Sequence, residues 1–93
     1  MPSYKIAHLN RSGQDMVIVP LDSSYDSKSS SEQAGFEGLL QNKAYSAGLA
    51  GDVVTVWEKG GQMRFRAPVQ WHPFFKSIGM NYVLQNVNRT LSW

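Results

Sequence analysis

The chain has 93 residues, a net charge of +2 at pH 7 and a pI near 9.1, with 42% hydrophobic residues, 17% charged residues and no cysteine. This length holds one core, so residues 1–93 are read as a single domain. The composition lies outside the range of disordered chains, and without cysteine there is neither a disulfide nor a thiolate metal site. Two separated histidines, His8 and His72, do not supply a structural zinc site, so no metal and no cofactor is expected.

The longest apolar run, Met16 to Leu21, is far short of the roughly 20 residues that cross a bilayer. No signal-peptide h-region opens the chain. The expectation is a cytoplasmic protein with no membrane partner. A domain this small hides only about 60–65% of the surface its unfolded chain exposes, and self-association would add burial; a homodimer is therefore expected alongside protein partners. The positive charge admits an anionic partner such as nucleic acid, but without the dense basic stripe of a dedicated phosphate binder.

In chain order, Lys5 to Asn10 and Asp15 to Leu21 read as a hairpin, with β-branched Val17, Ile18 and Val19 in its second strand and turn chemistry over Asn10-Arg11-Ser12-Gly13. Pro20 lacks an N–H and marks a strand end or edge. Asp22 to Ser31 is a serine- and aspartate-rich loop, whose side chains compete with backbone pairing. Asp22 and Asp26 lack the spacing of an EF-hand, so this loop is read as solvated, not as a cation site.

Ser29-x-x-Glu32 and Ser30-x-x-Gln33 both fit a capping box, which starts a helix. Phe36, Leu39, Leu40, Ala44 and Ala47 recur at helical spacing along its buried face. Gly48 fits the left-handed position after the helix and Leu49 the apolar residue that follows.

Asp52 to Glu58 and Gln62 to Pro68 form a second hairpin across Gly60-Gly61. That loop sets Lys59 opposite Gln62, Trp57 opposite Arg64, Val56 opposite Phe65 and Thr55 opposite Arg66. Val54, Val56, Met63, Phe65 and Ala67 then share the core face, and Val53, Thr55, Trp57, Arg64 and Arg66 the other. Trp71-His72-Pro73 opens a second helical region, with proline suited to a first helical turn. Gly79 breaks it into a short turn over Pro73 to Ile78 and a helix running to about Leu91, in which Met80, Val83, Leu84, Val87 and Leu91 share a face.

The predicted order is ββαββα: an α+β two-layer sandwich, an antiparallel sheet of three to four strands with two helices on one face and the other face open. The later strand–helix–strand–strand–helix portion resembles the order in septal peptidoglycan-binding SPOR domains, with no motif of that family in the chain.

Two groups of residues are candidate binding sites. On the open face, Trp57, Arg64 and Arg66 have the chemistry to stack and clamp an unpaired base; alternatively Trp57 and Arg64 are a cross-strand pair that shields the hairpin. The run from Trp71 to Lys76 packs three aromatics, His72 and a cation into six residues, with Trp71, His72, Phe75 and Lys76 forming either an exposed contact site or a plug between hairpin and helix.

His72 is also the candidate acid or base of a small ribonuclease-like toxin, with His8 as the second imidazole and Arg64 or Arg66 on the phosphate. There is no P-loop, GxGxxG, GxSxG or HExxH motif. Asn88-Arg89-Thr90 has the form of a glycosylation acceptor, which carries no meaning in a cytoplasmic chain. The leading expectation is a non-enzymatic binding domain for protein contact or self-association.

Overall fold

The computed structural model describes residues 3–11 and 13–92. Five strands form one mixed sheet: β1 (Ser3–Arg11), β2 (Gln14–Pro20), β3 (Asp52–Lys59), β4 (Gln62–Arg66) and β5 (Arg89–Ser92), in the spatial order β4-β3-β2-β1-β5. The helices are α1 (Ser30–Ser46), α2 (His72–Ser77) and α3 (Met80–Gln85), with short 3-10 turns at Ser23–Ser27 and Val69–Trp71. Among the described residues no helix is long and apolar enough to cross a membrane.

The α+β class is as expected, but the layer count is not. Helix α1 covers one face of the sheet, where Ile6, Val17, Val19, Leu40, Ala44 and Leu91 pack together. Helices α2 and α3 cover the opposite face, where Ala7, Met16, Ile18, Val54, Val56, Trp71, Phe75 and Val83 form a second cluster. The result is three layers and not two. The reason lies in β2 and β3: Met16–Val19 and Val54–Trp57 are each four consecutive buried residues, the signature of strands covered on both faces.

The sheet is mixed, not antiparallel, because β2 and β3 run parallel, with Met16 beside Asp52 and Val19 beside Thr55. Parallel neighbours need a crossover connection, and α1 is that connection. Pro20 ends β2, and the next amide, Leu21 N–H, donates to the Val56 carbonyl at 2.7 Å, so the missing proline donor costs one bond and not the register.

Local signals set the boundaries of α1. The Ser29 hydroxyl accepts from Glu32 N–H at 3.2 Å, and the Glu32 carboxylate accepts from Ser29 N–H at 3.2 Å, closing the capping box. At the far end Leu49 N–H donates to the Ala44 carbonyl at 2.9 Å and Gly48 N–H to Tyr45 at 3.0 Å, the paired bonds of a Schellman turn. The chain then enters β3 through Gly51, at φ 109°, where an added Cβ would lie 2.3 Å from the Asp15 carbonyl oxygen. Only glycine allows that approach.

The β3–β4 register is the predicted one at every position: Lys59 opposite Gln62, Trp57 opposite Arg64, Val56 opposite Phe65 and Thr55 opposite Arg66. Gly60 and Gly61 both have positive φ, 62° and 79°, as a two-residue type I′ turn requires. The first hairpin pairs Arg11 with Gln14; Ser12 of its predicted turn lies outside the described residues.

The C-terminal helix predicted to reach Leu91 ends at Gln85, and Arg89–Ser92 form β5 instead, antiparallel to Ser3–Ile6. Leu91 matched the helical period by coincidence; it packs on the α1 face, whereas Val83 packs on the opposite one. Tertiary pairing overrides the local period because the outer edge of β1 needs partners. Asn88 extends that pairing with its side chain, its Oδ1 accepting from His8 N–H at 2.9 Å and its Nδ2 donating to the His8 carbonyl at 3.0 Å. The carboxamide thus stands in for one more residue of strand.

Candidate binding site at the open sheet edge

The face assigned to Trp57, Arg64 and Arg66 is covered by α1 and the 3-10 turn before it, which corrects the expectation of an open outer face. Trp57 is only 5% exposed. Its indole N–H donates to Asp26 Oδ1 at 3.0 Å, and its ring meets Tyr25 edge-on with centroids 5.0 Å apart. It offers no free ring face to a base. Arg64, across the strand pair from Trp57, reaches the same Asp26 oxygen at 3.6 Å while its side chain stays 58% exposed. Asp26, read from the sequence as part of a solvated loop, therefore bolts that loop to the second hairpin.

Arg66 points under α1. Its Nε lies 2.6 Å from Glu37 Oε2, and its Nη1 donates to Gln33 Oε1 at 3.3 Å. The same Glu37 oxygen accepts from the Thr55 hydroxyl at 3.0 Å and faces the Tyr25 hydroxyl at 3.2 Å. Burial, with the Glu37 carboxylate beside it, pushes the Tyr25 phenol up to about 12. Gln33 donates to the Tyr25 carbonyl at 2.9 Å, and Gln41 bridges the Gly51 carbonyl and Val53 N–H at 2.9 Å each.

Gln33, Glu37 and Gln41 lie four residues apart, so they form one row on a helix. Sequence reasoning took the inner face of α1 as purely apolar and missed this row. Leu39 and Ala47, assigned to the apolar stripe, are exposed. The missed signal was the polar series at 33, 37 and 41, which runs beside Phe36, Leu40 and Ala44 at the same spacing.

The Trp71–Lys76 run divides between core and surface. Trp71 and Phe75 are buried, at 8% and 1% exposure, and plug the space between the second hairpin and α2. Lys76 is exposed, and His72 is half-buried, its ring edge-on to Phe65 at 5.2 Å. His72 Nε2 lies 3.0 Å from the Ala67 carbonyl. A carbonyl only accepts, so this nitrogen is the donor.

The two imidazoles are not brought together. His8 shares a face with its cross-strand partner Val17, on the α1 side, and its Nε2 bonds the Ala50 carbonyl at 2.9 Å. His72 packs on Phe65, whose side chain joins the opposite cluster. Arg66 and His72 both line a cleft of about 340 Å3 at the end of β4, with Glu37, Phe65, Ala67 and Pro68 among its other walls. Among the described residues there is no group of three or more metal-ligating side chains.

Strand β4 is the outermost strand on this side, hydrogen-bonded only to β3. In a two-residue hairpin the closing pair, Lys59 and Gln62, exchanges backbone bonds and every second pair after it does the same. Trp57–Arg64 and Thr55–Arg66 are therefore bonded pairs, and the N–H and C=O groups of Met63 and Phe65 point outward from the sheet. Arg64 is exposed beside these outward groups, while Arg66 is held back by Glu37. No protein-family model, curated protein or solved structure matches the chain.

Proposed function

We propose that the chain is a non-enzymatic binding domain that takes a protein partner by strand addition at β4. The observation that carries this reading is the open edge itself, where two residues present unpaired backbone groups next to the exposed guanidinium of Arg64. Backbone bonds supply affinity in this mode and alternating side chains supply choice. Arg64 and Arg66 lie on one face of β4, and Met63 and Phe65 on the other. The fitting partner is an extended segment that alternates acidic and apolar residues.

A second copy of this chain fits less well. Antiparallel self-pairing of β4 centred on Arg64 sets Arg64 against its own copy, and centred on Phe65 it sets Arg64 against Arg66; like charges directly opposite are destabilising. A ribonuclease-like reading draws on the same cleft, which gathers His72, Arg66 and Glu37. It asks for a free carboxylate and a free guanidinium, whereas Glu37 and Arg66 are spent on each other and on the α1 interface. RNA cleavage that is lost in His72→Ala, with the fold intact, would replace the binding reading with this one.

The direct test uses a labelled peptide alternating Glu and Val, with a Lys–Val peptide as control, followed by fluorescence anisotropy. Binding of the Glu–Val peptide that weakens with salt is expected. Met63→Pro removes one outward N–H without touching the bonds to β3, a substitution tolerated at a strand edge, and should weaken binding at least about tenfold. Arg64→Glu should shift preference to the Lys–Val peptide. Equal binding of the two peptides to the unaltered chain, or full binding by the Met63→Pro variant, would overturn strand addition.

A further inference from the structure

We propose that a second site, on the α1 face and separate from the β4 edge, binds a small molecule made of an aromatic ring and a carboxylate. The site is a groove of about 350 Å3 lined by Tyr4, Leu21, Asp22, Tyr25, Lys28 and Phe36. It exists because one helix cannot cover this face. Five strands at about 4.8 Å spacing are roughly 19 Å wide, whereas a helix with its side chains is about 10 Å across. Helix α1 reaches from β3 to β5 and the 3-10 turn at Ser23–Ser27 covers β3, and the groove lies between that turn, Phe36 of α1 and Tyr4 on β1.

The walls select the ring. Phe36 is the centre of an aromatic group, with Tyr4 edge-on at 5.7 Å and Tyr25 tilted at 5.9 Å. Rings at such angles leave faces and edges that another ring completes, each contact adding about 0.5–1.5 kcal/mol beyond burial. Leu21 supplies an aliphatic wall. The volume lies just above the lower bound of about 300 Å3 for small-molecule pockets, which suits one ring with a short chain.

The rim selects the charge. Asp22 shares the rim and keeps its charge, with Oδ1 turned to Ser24 N–H and the Ser23 hydroxyl at 3.4 Å each. Glu32, whose carboxyl feels the Lys28 charge, is held by the Ser29 amide and hydroxyl. Lys28 is exposed on the groove rim, and its ammonium is the one cation among the described lining residues to meet an anion. The Tyr25 hydroxyl plays no part, being turned to the Gln33 carbonyl and Glu37.

The test is a titration of the full chain with phenylpropionate, and in parallel with the uncharged phenylpropionamide, followed by amide chemical shifts. Saturable shifts confined to residues 21–28 and the surroundings of Phe36 and Tyr4 are expected in the millimolar range. The carboxylate should bind roughly two- to fivefold more tightly than the amide, the worth of one exposed ion pair. Lys28→Gln, at an exposed position, should erase that difference while leaving ring binding, and Phe36→Leu should weaken both ligands. Absence of localised shifts, or equal affinity of the two ligands for the unaltered chain, would overturn the proposal.

Discussion

The two faces of the sheet are built on different principles. Under α2 and α3 the core of the interface is apolar: Met16, Ile18, Val54, Val56, Phe75 and Val83 are packed with almost no exposure, and Phe65, Phe74 and Phe75 meet ring to ring. Under α1 an apolar strip around Leu40 and Ala44 runs beside a polar row, where Gln33, Glu37 and Gln41 each reach a named partner on the loop or on β3. The first face is held by area removed from water, which is non-directional and tolerant of exchange. The second adds bonds that work only in one geometry, so it fixes where α1 sits. The groove beside Phe36 and the cleft beside Arg66 both border this second, more polar face.

Truncation in the apolar face gives the largest contrast. Phe75→Ala should cost about 3–5 kcal/mol by denaturant unfolding, the usual range for a buried phenylalanine. Against a total of about 5–15 kcal/mol for a domain, that is a large fraction of the stability. A loss under about 1 kcal/mol would mean that α2 is a loosely held cover. Glu37→Gln probes the polar face and should cost about 1–3 kcal/mol, because it removes the charged acceptor shared by Arg66, Thr55 and Tyr25. Its double-mutant cycle with Arg66→Gln should show coupling, whereas a cycle of Glu37→Gln with Phe75→Leu, across the sheet, should be additive.

A further effect is a pH dependence confined to alkaline solution. Tyr25 loses its proton near 12 in the folded chain against about 10 when unfolded. Its raised value means that the neutral phenol is the favoured form in the fold. That contribution is complete below pH 10 and is lost as pH rises from 10 through 12. Tyr25 should titrate late when tyrosinate absorbance is followed, and it should shift back toward 10 in Glu37→Gln. An unmoved late titration in that variant would assign the effect to burial alone.

Where a structural element depends on neighbours in the sequence, the chain was legible. The capping box at Ser29 and Glu32, the Gly48–Leu49 helix end and the full register across Gly60-Gly61 all rest on bonds within a few residues, and all are present. The sorting of Val54, Val56, Met63 and Phe65 from Thr55, Trp57, Arg64 and Arg66 followed from that register alone. The candidate site was only half legible. Trp71, Phe75 and Trp57 are aromatic because they fill space, and Arg66 is charged because Glu37 waits for it across the α1 interface. Residue type announces chemistry but not whether another part of the chain has already used it.

By itself, then, the sequence determined the Gly60-Gly61 turn, the two ends of α1 and the two faces of the second hairpin, since backbone geometry and alternation act over short range. Only the tertiary structure decided that β2 and β3 lie parallel, that both faces of the sheet are covered, and that residues 89–92 close the edge of β1 as a strand. Those outcomes depend on which distant surfaces exclude water from one another and which unpaired backbone groups find partners, quantities that no local window contains. The open edge of β4 belongs to the same class: it is open because nothing else in the described chain pairs with it.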